Sequence, residues 1–316
     1  MIKDIGVNTK LGAIIGTDIG HSKSPAMMNA AYEKLGLDAY YYPMNIKEED
    51  FGDVIRGISK MNYMGLTITI PYKLEVMKYL DEIDRTAEII GAVNTIKITD
   101  GKMKGFNTDG EGFVRGLEAD KGVNVAESTF VVVGAGGVSR AIMTVLASRK
   151  AAAAAAAGKL ESASPINDAA PGKTIPTCPK KIYLANRTLK RAEELCEKLN
   201  TLVCNCCIPI TLDESIGQYI DQADVLVNAT NVGMPPQQDM TPVDPALLHS
   251  GMLVADVIYN PRKTKLLEAA EAMGCDIVNG QSLLLHQGKM AFNIWTGLEA
   301  PGDDMFRAVF GDEEKA

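Results

Sequence analysis

The stretch FVVVGAGGVSRA, residues 130 to 141, constrains the chain more than any other. Phe130 and three valines run without a polar break into a glycine loop, and a helical pattern follows. An uninterrupted apolar run of this length reads as a strand buried on both faces, as in a parallel sheet. Of the glycines behind it, Gly134 makes the tight turn and Gly136 lets a backbone approach a pyrophosphate. The helix opening near Gly137 then offers free N–H groups and the positive end of its dipole. Ser139 stands where the usual pattern has its third glycine. Strand, glycine loop and helix in this order predict a dinucleotide cradle made by Gly134, Ala135, Gly136 and Gly137.

The end of the next strand selects among dinucleotides. An NAD site ordinarily carries an acidic residue there, bonded to the ribose 2′-hydroxyl. This chain instead reads ANRTLKR, with Asn186, Arg187, Thr188 and Arg191. Two guanidiniums and no carboxylate suit the 2′-phosphate of NADP, because arginine meets phosphate in a bidentate fork. The competing reading is a solvated helix start in which Arg191 pairs with Glu194.

Elsewhere short apolar runs alternate with amphipathic segments. KLGAIIG, YYYPMNI and MGLTITI read as strands, with a helix SPAMMNAAYEKLG between the first two. GAVNTIKI and GKMKGFN read as a hairpin around TDG. KIYLANRT, ADVLVNAT, MLVADVIY and GCDIVNG read as further strands. Strand–helix alternation argues open, mostly parallel α/β sheets. It occurs before and after about residue 110, which predicts two domains. Residues 150 to 180 stand apart: a run of seven alanines extends the helix that starts near Gly137. A Ser/Pro/Gly-rich stretch without periodicity follows and reads as a surface insertion.

Composition closes off other classes. The 316 residues carry 32 basic and 40 acidic side chains, a net charge of −8. That argues against general binding to nucleic acid or to an anionic membrane. No signal-peptide core or membrane-length apolar run is present, so the expected location is the cytoplasm. Six cysteines sit at 178, 196, 204, 206, 207 and 275 without the paired spacing of a metal site, and read as reduced, partly buried thiols at a strand end.

Polar clusters in the first half each have a bland structural reading. Ser22 and Ser24 precede a helix with Pro25 in its first turn and suit capping. Asn94 suits an Asx turn at a strand start. Thr108 and Glu111 have the spacing of a capping box, which leaves Asn107 and Asp109 unexplained. Thr67, Thr69 and Lys73 end the strand of GLTITIPYK.

Taken together, HSKSP, TIPYK, GAVNTI, GFNTDGEGF, GAGGVSRA, ANRT, NATNVGM, DVIYNP and LLLHQGKMAF follow the order of a known family. The chain resembles the shikimate dehydrogenases, including the quinate/shikimate branch. The resemblance implies an α/β fold: an N-terminal substrate domain (1–109, rejoined by a C-terminal helix 287–316), a Rossmann-like NADP domain (110–286), and a cleft between them. It implies NADP-dependent, reversible reduction of 3-dehydroshikimate to shikimate, with Lys73 and Asp109 as the catalytic pair. Ser22 and Ser24 are expected on the substrate carboxylate, and Thr69, Lys73, Asn94, Asp109, Tyr259 and Gln287 elsewhere on the substrate. Thr230 and Gly280 join the cofactor residues already named. No metal is expected; the partner is a small-molecule substrate, and a homodimer is open to the chain. Thr67 stands where many members carry Asn. Lys265 stands where the family often has Pro, a variant suggesting the quinate/shikimate branch, whereas Arg187 and Arg191 suggest the biosynthetic one. A non-catalytic dinucleotide-binding regulator is the distant alternative, favoured only by loss of Lys73 or Asp109.

Overall fold

The computed structural model describes residues 5–156 and 177–312. The chain divides into two compact units, 1–108 with 285–314 and 109–284. Most of the expected 150–180 insertion lies outside the described residues.

In the first unit β1 (Lys10–Gly16), α1 (Ser24–Lys34), β2 (Ala39–Asn45), α2 (Phe51–Ile58) and β3 (Tyr63–Ile68) come first, with β1 parallel to both its neighbours. β4 (Glu82–Ile83), α3 (Arg85–Ile90), β5 (Thr95–Thr99) and β6 (Lys102–Phe106) complete a mixed sheet of order β2-β1-β3-β5-β6-β4. The expected hairpin is β5–β6. Its two linking residues, Asp100 and Gly101, both have positive φ (52° and 77°), as a two-residue hairpin turn requires. Met27, Met28, Ala31 and Tyr32 are buried on one face of α1. On the opposite side of the core, Phe51 stacks on Tyr72 with ring centroids 4.0 Å apart.

The second unit runs α4 (Asp109–Lys121), β7 (Phe130–Val133), α5 (Gly137–Ala156), β8 (Thr177–Asn186), α6 (Leu189–Leu202) and β9 (Asn205–Thr211). It continues through α7 (Gly217–Ile220), β10 (Val225–Asn228), β11 (Leu253–Asp256), α8 (Lys265–Ala272) and β12 (Asp276–Val278). Every pairing is parallel and the order is β12-β11-β10-β7-β8-β9, the doubly wound arrangement whose strand order reverses beside β7. All four residues of β7 are buried, because helices cover both faces of such a sheet. α9 (Gly280–Thr296) returns the chain to the first unit, and α10 (Gly302–Phe310) follows.

Three expectations change. Asp109 opens the second unit rather than closing the first, and the return begins at Leu285 and holds two helices rather than one from 287. The NCCIPIT segment, of which the sequence placed only the thiols at a strand end, forms β9 throughout. Its Pro209 removes a donor and argues against a central strand, but β9 is an edge strand, where Pro is tolerated. The cysteines are all buried rather than partly so. Burial pushes the Cys178 and Cys196 thiols up to about 12. Thiolate is the reactive form. An aromatic disulfide reagent at pH 8 is therefore expected to label the native protein over hours and to titrate all six thiols within minutes after unfolding; fast native labelling would contradict this packing.

Candidate active site

The first unit gathers its polar residues at the carboxyl ends of β1 and β3, where the antiparallel β5 begins. Thr69 N–H donates to Ile15 O at 2.9 Å, which joins the residue after β3 to β1. Lys73 O accepts from Val93 N–H at 2.9 Å. The next residue, Asn94, is buried, and its side chain spans to Thr108: Oδ1 accepts from Thr108 N–H at 2.8 Å and Nδ2 donates to Thr108 Oγ1 at 3.1 Å. Thr95 Oγ1 donates to the same Oδ1 at 2.9 Å. Asn94 therefore makes no simple Asx turn. Its amide fixes the chain one residue ahead of Asp109.

The capping box is not formed as the spacing suggests. The Thr108 hydroxyl is engaged with Asn94 and lies 3.2 Å from Thr95 Oγ1. The Glu111 carboxylate accepts from Arg115 Nε at 2.8 Å and Arg149 Nη2 at 2.5 Å. Burial pushes that carboxyl up, but the two guanidiniums outweigh it and hold it below its ordinary value. Asn107 donates to Ala92 O at 3.0 Å.

Ser22 and Ser24 do not cap α1 as read from the sequence. The N-cap is Lys23, whose side chain makes no cap, and Ser22 Oγ accepts only from Ser24 N–H, at 3.3 Å. The helix start therefore keeps hydroxyls and backbone N–H groups of the kind an anionic group binds. Gln287 is buried on α9, Lys73 is half-buried and Thr67 is buried at the end of β3.

In the second unit Gly134 has φ +103°, and a Cβ there would meet Thr230 Cγ2 at 2.7 Å. Glycine is required on both counts. Nothing lies within 4 Å of the place a Cβ would take at Gly136 or Gly137, so the backbone entering α5 is open. Ala135, between Gly134 and Gly136, is half-buried. Ser139 is fully buried in the first turn of α5, where the missing third glycine would have been. Asn186 Nδ2 donates to Thr188 O at 2.9 Å, and Thr188 is the N-cap residue of α6. Arg187 and Arg191 are exposed, and among the described residues neither forms an ion pair, Glu194 included. The solvated-helix reading of Arg191 thus loses its partner.

Three further loops meet at this edge of the sheet. Thr230 Oγ1 donates to Asn228 Oδ1 at 2.7 Å. Gly280 N–H donates to Ile258 O at 2.9 Å, and any side chain at 280 would collide with Val257 O. Tyr259 follows Ile258 and is half-buried. Asp256 is fully buried; burial raises its carboxyl above the ordinary range, opposed by donors from Ile258, Thr264 and Asn228. Sequence reading quoted the NATNVGM and DVIYNP motifs but assigned nothing to Asn228, Asp256 or Thr264; polar residues at consecutive strand ends were the available signal. Among the described residues no group of three metal-binding side chains occurs, and no helix is long and apolar enough to cross a membrane.

The family model for the shikimate dehydrogenase substrate binding domain matches residues 14–96. A shikimate dehydrogenase (NADP(+)) from Methanopyrus kandleri is 39% identical over 307 residues, 96% of each chain. A shikimate 5-dehydrogenase from Listeria monocytogenes, solved with shikimate and NAD, superposes with a TM-score of 0.83 at 32% identity, covering 98% of this chain and 99% of that one. A quinate dehydrogenase from Corynebacterium glutamicum, solved with NAD, gives 0.79 at 31% identity over 95% and 98% of the two chains. Whole-length identity of this order, with the substrate-domain match, places the chain in the shikimate dehydrogenase family.

Proposed function

We propose that the protein catalyses the reversible, NADP-dependent reduction of 3-dehydroshikimate to shikimate, a step of chorismate and aromatic amino-acid biosynthesis, as a cytoplasmic enzyme able to form a homodimer. The first unit is its substrate domain and the second its NADP domain. The observation that carries the reading is local. The Lys73 backbone is bonded to Val93, and the residue preceding Asp109 is bonded to Asn94. The Lys73 backbone and Thr108, which precedes Asp109, are thus anchored on the consecutive residues Val93 and Asn94.

The residues present fit the cofactor. The open backbone at Gly136 and Gly137 and the N-terminus of α5 suit a pyrophosphate, and Ala135, Asn186, Thr188, Thr230 and Gly280 complete the cradle. Arg187 and Arg191, without ion pairs, suit a 2′-phosphate. When bound, NADPH supplies the hydride. Ser22, Ser24 and the α1 terminus hold the substrate carboxylate. Thr69, Asn94, Tyr259 and Gln287 bind its ring oxygens. As negative charge builds on the carbonyl oxygen, the Lys73 ammonium stabilises it and delivers a proton. Asp109 orients that ammonium and a ring hydroxyl. In the oxidation direction neutral Lys73 takes the hydroxyl proton.

Arg187→Asp is expected to raise KM for NADP+ by about 10- to 100-fold, the scale of lost charge-assisted hydrogen bonds, and to change KM for NAD+ by less than about threefold. Equal shifts for both cofactors would remove Arg187 from phosphate recognition. The reading as a whole is tested by steady-state kinetics with shikimate and quinate against both cofactors. Efficient quinate turnover with NAD+ would assign the chain to the quinate/shikimate alternative. Lys265, the variant that suggests that branch, opens α8 at the surface, paired with Glu268 at 2.8 Å.

A further inference from the structure

The Asp256 carboxylate ends β11, and its contacts reach beyond that strand. Oδ1 accepts from Ile258 N–H at 3.0 Å and Oδ2 from Thr264 Oγ1 at 2.8 Å. Asn228 Nδ2, at the end of neighbouring β10, lies 3.2 Å from each oxygen and 3.0 Å from Val232 O. Asn228 Oδ1 accepts from Thr230 N–H at 3.1 Å and Thr230 Oγ1 at 2.7 Å. Thr230 Oγ1 in turn accepts from Val232 N–H at 3.1 Å. Gly233, φ +111°, leaves room for Thr264: a Cβ there would lie 3.2 Å from the threonine side chain.

One carboxylate therefore joins the loop after β10 to the loop after β11. The first of these carries Thr230, packed against Gly134 of the glycine loop; the second carries Tyr259 and bonds Gly280 through Ile258 O. The two oxygens of a carboxylate accept from all three donors. An amide in its place would turn an N–H₂ toward another donor. Asp256 is fully buried and forms no ion pair among the described residues, so the charge is held by neutral donors alone. Sheet stability alone gives no reason for this, since apolar packing would hold the same strands without the cost of burying a carboxylate.

We propose that Asp256, through Asn228 and Thr264, is a positioning residue that sets the geometry of the Thr230 and Tyr259 loops for cofactor and substrate. The inference rests on the functional reading above for the roles of those two residues. Asp256 is fully buried and acts through these neighbours.

The test compares Thr264→Val, which removes one donor to Asp256, with Thr264→Ser, which keeps it. Asp256→Asn is the more severe variant, and the Val254→Ala variant of the same strand is a control for destabilisation alone. NADP+ affinity is measured by calorimetry, kcat and KM at 20 °C with shikimate, and unfolding by circular dichroism. Thr264→Val is expected to weaken NADP+ affinity or kcat/KM by ~10-fold, the scale of one buried hydrogen bond left unmade, with Thr264→Ser restoring most of it. Val254→Ala is expected to lower the melting temperature and leave affinity unchanged. If Thr264→Val, and Asp256→Asn where it folds, melt lower yet keep wild-type affinity and kinetics, the positioning role is overturned. A wild type that binds NADP+ without oxidising shikimate would sink the functional reading, while the affinity comparison would still decide the inference.

Discussion

Lys73→Ala is expected to lower kcat by about 100- to 10,000-fold, the contribution of a positioned general acid, with KM for shikimate changed far less. The split follows from where the group acts. An ammonium facing a neutral ketone does little for ground-state binding; its effect grows as the oxygen becomes an alkoxide. The backbone of residue 73 is held through its carbonyl by Val93, so the truncation leaves that anchor intact. The measurement is steady-state oxidation of shikimate with NADP+ across a pH series. Activity near wild type would take Lys73 out of the mechanism. A rise in KM without a fall in kcat would make it a binding residue only.

Trp295→Ala is expected to destabilise the first unit by ~3–5 kcal/mol, the cost of emptying a large aromatic site in a packed core. Trp295 is buried, stacks on Tyr41 with centroids 5.7 Å apart, and donates from Nε1 to Ile96 O at 2.9 Å. Gly65 exists to admit it, since a Cβ at 65 would collide with the indole. Trp295→Phe keeps an aromatic ring and removes the indole donor to Ile96 O, for which ~0.5–1.5 kcal/mol is expected. Denaturant unfolding followed by circular dichroism reads both. Trp295 is the only tryptophan, so wild-type fluorescence reports on the first unit alone. An alanine variant within 1 kcal/mol of wild type would contradict the packing.

Much of this architecture was readable because periodicity and glycine chemistry are local signals. Phe130–Val133 announced a buried parallel strand, and Asp100–Gly101 a hairpin turn. Polar side chains were misread wherever their partners were distant in sequence. Asn94 bonds a residue 14 positions away, and Glu111 one 38 positions away. Their local alternatives, an Asx turn and a capping box, satisfy the same donors and acceptors. The Asn228–Asp256 pair, separated by 28 positions, was invisible for the same reason. The extent of β9 was not read beyond a strand end at its thiols because Pro209 weakens the strand pattern and its edge position could not be known in advance.

The core around Met27, Met28, Tyr32 and Tyr41 is completed by Phe292, Trp295, Met305 and Phe306, from the far end of the chain. During synthesis β1 and α1 precede the residues that cover them by the whole of the second unit. The segment 109–284, uninterrupted in sequence, carries its own core of β7, β10, β11 and α8 side chains and can fold earlier. Birth order and folding order are thus reversed, and for that interval the nascent N-terminal segment presents bare apolar surface of the kind chaperones engage.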